Sequence, residues 1–131
     1  MKLIYLAVPY THENKFVMIL RHLLVTAVGD KLILEGKHIF SPITESHMYQ
    51  QYGDAGHKWD FWEKHDKLML RKCDELWVLT LPGWEESVGV QAEIQYANQR
   101  KMPIKYIRVF DVLPELKEII LGDINALDTR E

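Results

Sequence analysis

Ser87 and Glu93 lie six positions apart in Trp84-Glu-Glu-Ser-Val-Gly-Val-Gln-Ala-Glu93, and both side chains have chemical uses near the start of a helix. A serine at the cap leaves the first helical amides without partners, a natural seat for an anion such as a phosphate. Helical side chains lean toward the N-terminus, so the Glu93 carboxylate is expected over the turn carrying Gly89, whose missing side chain leaves room for a substrate. Six helical residues rise about 9 Å, comparable with the span from a sugar's anomeric carbon to its 5′-phosphate. A capped helix with a packing glycine and an ordinary glutamate is an equally good account of the spacing alone.

Asp66 is the second candidate. It falls in the same helical stripe as Trp59, Trp62, Met69, Leu70 and Cys73, and a carboxylate among such residues must be hydrogen-bonded, raised in pKa, or open to a pocket. Two carboxylates can divide a glycosyl transfer, one attacking the anomeric carbon while the other manages protons. Glu93 suits the first role and Asp66 the second, although a purely structural aspartate fits as well. Tyr5, near the end of the first strand, can orient a carboxylate through its phenol or simply fill the core.

Pro9-Tyr10-Thr11-His12-Glu13-Asn14 offers hydroxyl, imidazole and amide groups at a helix start, suited to phosphate or sugar and equally to capping. His47 is a further ligand candidate. Trp59, Trp62 and Trp84 offer faces for a base, against the ordinary role of tryptophan in a core. The remaining histidines lack metal-ligand spacing, and neither a glycine-rich dinucleotide fingerprint nor a P-loop is present. No metal and no cofactor is expected.

These residues need a scaffold. The sequence has 131 residues, 47% of them hydrophobic, enough for one domain with its own core. Sixteen basic against nineteen acidic residues give a net charge of -3, without the cationic field that holds a polynucleotide. A single cysteine, Cys73, and no apolar run of transmembrane or signal-peptide length lead to the expectation of a cytoplasmic protein.

Apolar runs at 2–8, 38–40, 75–81 and 103–109 read as strands. Helical periodicity starts after Asn14 and runs toward Gly36, and helices are also expected from about His57 to Cys73, from Ser87 to Arg100 and from Pro114 to Ile120. Ile43 to Gly56 reads as a long loop. The predicted fold is α/β, one domain over 1–121 with a polar tail over 122–131. Its mostly parallel flavodoxin/Rossmann-like sheet carries helices on both faces. Ligands of such sheets bind beyond the carboxyl ends of the strands, here 8–14, 41–47 and 82–87.

Four elements taken in order resemble the nucleoside 2-deoxyribosyltransferase superfamily. They are Ile4-Tyr-Leu-Ala-Val-Pro-Tyr10, His65-Asp66 eight residues before Asp74, the apolar strand that follows, and Ser87-x-Gly-x-x-x-Glu93. The nearest branches are the 2′-deoxynucleoside 5′-phosphate N-hydrolases and small bacterial and phage members of the DUF1937 type. The resemblance implies Glu93 as the nucleophile of a glycosyl-enzyme, Asp66 in proton transfer, and Tyr5 orienting Glu93. Base-exchanging transferases usually carry aspartate where this chain has Ser87, whereas the monophosphate hydrolases carry serine. The expected function is therefore a nucleotide N-glycosidase that releases the base of a (deoxy)nucleoside 5′-monophosphate to water. Alternatives are a base-exchanging deoxyribosyltransferase and a non-catalytic nucleotide-binding module. Two departures are Pro9-Tyr-Thr-His in place of a glycine- and arginine-containing phosphate loop, and the Leu81-Pro-Gly-Trp-Glu-Glu86 insertion. Relatives commonly build pockets across subunit contacts, so the resemblance implies a homo-oligomer by analogy; the other expected partner is a small nucleotide or nucleoside, without polynucleotide or membrane.

Overall fold

Leu3-Ile-Tyr-Leu-Ala7 is apolar throughout because both faces of β1 (Leu3–Ala7) are covered. A computed structural model describes residues 1–53 and 59–116, apart from the side chains of Gln51 and Trp59. β1 lies between β2 (His38–Phe40) and β3 (Glu75–Leu79), and β4 (Ile104–Ile107) pairs with the far edge of β3. All pairs are parallel, with Tyr5 in register with Phe40 and Leu76, and Val78 with Tyr106.

Side chains alternate across the pleat, so the sheet divides the core in two. Ile4, Leu6 and Val8 meet Val25, Val28 and Leu32 of α1 (Lys15–Leu34) on one face. Tyr5, Ala7, Leu76 and Val78 face the other way, onto Leu70 and Cys73 of α3 (Trp59–Lys72) and Val90, Ile94 and Ala97 of α4 (Val88–Gln99). Helices therefore cover both faces, and the α/β flavodoxin/Rossmann-like class expected from the sequence is the class observed. In the order β2-β1-β3-β4 the connections turn opposite ways from β1 and from β3, which opens a crevice beyond their carboxyl ends.

Three expectations are corrected. The long loop is mostly a helix, α2 (Pro42–Tyr52). Ser41 caps it by accepting the Thr44 amide at 3.3 Å, and Pro42 sits in the first turn, where its missing N–H has no cost. The strand expected to reach Val109 stops at Ile107. There Arg108 donates its amide and guanidinium to the Asp111 carboxylate and starts the short α5 (Val109–Val112). β3 ends at Leu79 rather than Leu81, where the Leu81 amide folds back onto the Leu79 carbonyl.

α3 begins at Trp59 in the described chain, so the expected start at His57 and the end of the long loop at Gly56 lie outside the described residues. Residues 114–116 are helical; the continuation to Ile120, the boundary at 121 and the 122–131 tail also lie outside them. Among the described residues no helix is long and apolar enough to cross a membrane.

Candidate active site

The turn after β3 delivers Ser87 to the start of α4, where its hydroxyl accepts the Val90 amide at 3.2 Å. The first turn of α4 therefore points into the crevice, and Glu93, one turn and a half further on, is carried beneath it. α3 brings Asp66 to the same place from the neighbouring helix. Both carboxylates are only 6% exposed, yet both line a cavity of about 460 Å³. Val8, Tyr10 and Thr11 follow β1 along one wall; Ser87, Val88 and Gly89 form the opposite lip. Pro42, Ile43, Ser46 and Gln50 of α2 and Asp60 and Trp62 of α3 complete the wall, with Glu86 before the α4 cap.

Burial dominates the electrostatics. It pushes the Glu93 carboxyl up to about 8; the adjacent Tyr5 hydroxyl works against this shift, and the charge of Asp66 adds to it. Asp66 is pushed up to about 7, first by burial and then by the negative charge of Glu45. Burial, followed by the charges of Glu93 and Asp66, raises the Tyr5 phenol well above its ordinary value, so it remains a proton donor. Tyr5 Oη, Asp66 Oδ1 and Glu93 Oε2 have no partner of good hydrogen-bond geometry, although Tyr5 lies close enough to Glu93 to shift its titration. Such buried, unpartnered acids converging on a cavity are the environment in which carboxyl groups act as nucleophile or general acid near neutral pH.

The structure thus brings Glu93, Asp66, Tyr5, Ser87, Gly89, Tyr10 and Thr11 together, with Tyr5 touching the carboxylate rather than the cavity wall. The remaining candidates stand behind or away from that wall. His47 supports Tyr10 from behind. Its Nδ1 lies 2.6 Å from the Tyr10 hydroxyl, and its ring stacks on His22 at 3.9 Å. Pro9 is fully buried and serves the backbone turn. His12 points outward and accepts the Asn14 amide at 3.0 Å, next to the Asn14 cap of α1. Trp84 packs on the α4-side core and against Tyr106, with ring centroids 5.5 Å apart. Of the tryptophans offered for base stacking, Trp62 lines the cavity, and the Trp59 side chain lies outside the described residues.

Ser46 and Gln50 were hidden in the segment read as a loop, and Asp60 and Glu86 had no signal separating them from surface acids. Arg21 was missed altogether. Its guanidinium donates to the Tyr10 and Thr11 carbonyls at 3.3 Å each and to the Pro82 carbonyl at 2.9 Å, tying the loop after β1 to the loop after β3. Gly83 makes room for it, since a Cβ there would sit 2.6 Å from Arg21 Nη2, and its φ of +93° suits glycine. Among the described residues no group of three or more His, Cys, Asp or Glu is placed to hold a metal ion.

The model of a domain of unknown function, DUF1937, matches residues 2–108, and the chain belongs to that family. The match runs from β1 through β4 and takes in Tyr5, Asp66, Ser87 and Glu93; it is consistent with the nucleoside deoxyribosyltransferase-like resemblance and specifies no reaction. No curated protein matches the chain.

Proposed function

We propose that this DUF1937 domain is an N-glycosidase that splits the base–sugar bond of a (deoxy)nucleoside 5′-monophosphate through Glu93. The observation that supports it is the pairing of Glu93 with Asp66, both buried, both raised in pKa, and both open to one cavity at the β1/β3 crevice. In the proposed reaction the Glu93 carboxylate attacks the anomeric carbon. The carbon–nitrogen bond breaks, and the base leaves with the electron pair and takes the proton of Asp66. Water then attacks the same carbon, gives its proton to the Asp66 carboxylate and frees Glu93. Tyr5 holds Glu93 in position throughout. Ser87 and the Val88 and Gly89 amides at the start of α4 support a phosphate at the far end.

A second reading rests on a separate observation. Asp60, Asp66, Glu86 and Glu93 line the cavity, and no lysine or arginine does so among the described residues. Carboxylates repel a phosphate dianion, which favours an uncharged nucleoside and exchange of its base for another, the reaction of a deoxyribosyltransferase. Incubation with ribo- and deoxynucleosides, with and without 5′-phosphate and with a second free base, separates the two by the product formed. Base release that Glu93→Gln leaves unchanged would refute both. Thermal stabilisation by a nucleotide without turnover of any substrate would leave a non-catalytic binding module. Homo-oligomeric assembly, a small nucleotide or nucleoside partner and a cytoplasmic location belong to the same proposal.

A further inference from the structure

α2 and α3 enclose a second hollow beside the reaction cavity. It is a groove of about 470 Å³, with Glu45 and Tyr49 on the α2 side and Phe61, Trp62, Lys64 and His65 on the α3 side. Its walls are mostly aromatic. Phe61 and His65 stand nearly at right angles to the Trp62 ring, with centroids 5.4 and 5.7 Å away, and Tyr49 lies tilted by 32° to it at 6.3 Å, toward the loose end of direct ring contact. Tyr49 and Phe61 are 53% and 61% exposed, so two large ring faces are left to water at one place. The groove and the cavity share a wall, because Trp62 lines both. Asp66 follows Trp62 by four residues, about one helical turn, and the Glu45 carboxylate of the groove is near enough to Asp66 to raise its pKa.

We propose that this groove is a second binding site, for a free heterocyclic base, separated from the reaction cavity by the Trp62 side chain. A small ion is a poor match, since an anion meets Glu45 and a cation meets Lys64. A purely apolar molecule would take water from both charged groups and give nothing back. A neutral, planar ring with donors and acceptors on its edge uses both, Glu45 as acceptor and Lys64 as donor, while its faces lie on the aromatic walls. The choice of a base among such rings rests on the proposed reaction, in which Asp66 protonates the leaving base about one turn from Trp62. Movement of the base past Trp62 into the groove clears the cavity for water while the sugar remains on Glu93. In an exchange, the same groove holds the second base until the first has left.

Titration of the full chain with adenine, hypoxanthine, cytosine and uracil, each to about 5 mM and followed by NMR, tests the groove without any turnover. At least one base is expected to bind with a Kd of about 1 mM, shifting Tyr49, Phe61 and His65 more than Val8, Thr11, Ser87 or Gly89. Tyr49→Ala with Phe61→Ala is expected to weaken that binding about tenfold or more, with unchanged far-UV circular dichroism because both side chains are more than half exposed. Lys64→Ala is expected to weaken it about threefold. If the alanine pair fails to fold, the wild-type shift pattern and Lys64→Ala decide. Binding by none of the bases, shifts centred on Ser87 and Gly89, or a Kd indifferent to Tyr49 and Phe61 would overturn the proposal. Tighter binding of inorganic phosphate or tetramethylammonium in the groove would overturn it equally. Base release from a nucleotide without groove binding would refute this inference alone, whereas groove binding in a protein that releases no base would support the groove and count against the reaction.

Discussion

Glutamine at position 93 keeps the size and shape of the side chain and removes only its ionisation, and the fold should become more stable for it. In the folded protein burial raises the Glu93 carboxyl from an ordinary 4.5 to about 8. The unfolded chain therefore releases this proton near pH 4.5, whereas the folded chain keeps it until about pH 8. Between those values the folded state binds more protons than the unfolded one, so wild-type stability falls as the pH rises. One pH unit is worth about 1.4 kcal/mol inside the window. From pH 5.5 to 7.5 the wild type should thus lose about 2–3 kcal/mol relative to Glu93→Gln, a gap of roughly 10 °C in Tm for a domain of this size. Below pH 4 both side chains are neutral and the two proteins should melt together. Comparing variant with wild type at each pH largely cancels the contribution of Asp66, which titrates in both. Urea unfolding or calorimetry between pH 4 and 9 measures the difference. A constant offset across that range, or a glutamine variant less stable at pH 8 than the wild type, would refute the claim that Glu93 is held protonated by burial.

The same pKa values shape catalysis, because attack needs Glu93 ionised while Asp66 is still protonated. Base release should follow a bell centred near pH 7.5, with limbs at about 7 and about 8. Asp66→Asn should remove the alkaline limb and leave a single rise set by Glu93 alone, its midpoint moved from about 7 up toward about 8 but short of it, since the charge of Asp66 no longer raises Glu93; stopped assays across pH 5.5–9.5 read both effects. Arg21→Ala should raise KM more than it lowers kcat and cost about 1–3 kcal/mol in urea unfolding, as the two loops lose their common donor. Gly83→Ala should do the same in milder form, through backbone strain and crowding of Arg21. Ser87→Asp keeps a good helix cap, so the fold should survive while the KM for a 5′-monophosphate rises at least tenfold and that for the free nucleoside hardly changes; equal effects on both would argue against phosphate at this position.

Reading the sequence worked best where local pattern and tertiary environment agree. β1 announced itself by a run of apolar residues buried on both faces, and α4 by the serine that caps it. α2 was illegible because its apolar positions do not gather on one stripe, one side facing the cavity, another α1 and a third solvent. The Ser41-Pro42 pair, read as stopping a strand, also starts this helix. Asp66 was legible because a carboxylate in an apolar stripe needs an explanation, and Glu93 because Ser87 and Gly89 precede it at helical spacing. Asp60, Glu86 and Arg21 were not, because charged residues on helices and turns are ordinary until the sheet order folds their backbones onto one crevice. Trp84 misled in the opposite way: an aromatic beside a catalytic motif invited a stacking role, and it packs on Tyr106 instead.

The two unpartnered atoms at the cavity, Asp66 Oδ1 and Glu93 Oε2, bear on how the protein will recognise whatever it binds. Each is a hydrogen-bonding group that the folded chain leaves unsatisfied at a free-energy cost of about 1–3 kcal/mol. A molecule presenting complementary groups in the same arrangement recovers that energy; one of similar size without them fills the space and leaves the cost in place. Selectivity at this cavity is therefore expected to follow the hydroxyl pattern at one end of a ligand more than its bulk, with the chain's own incomplete bonding acting as the template.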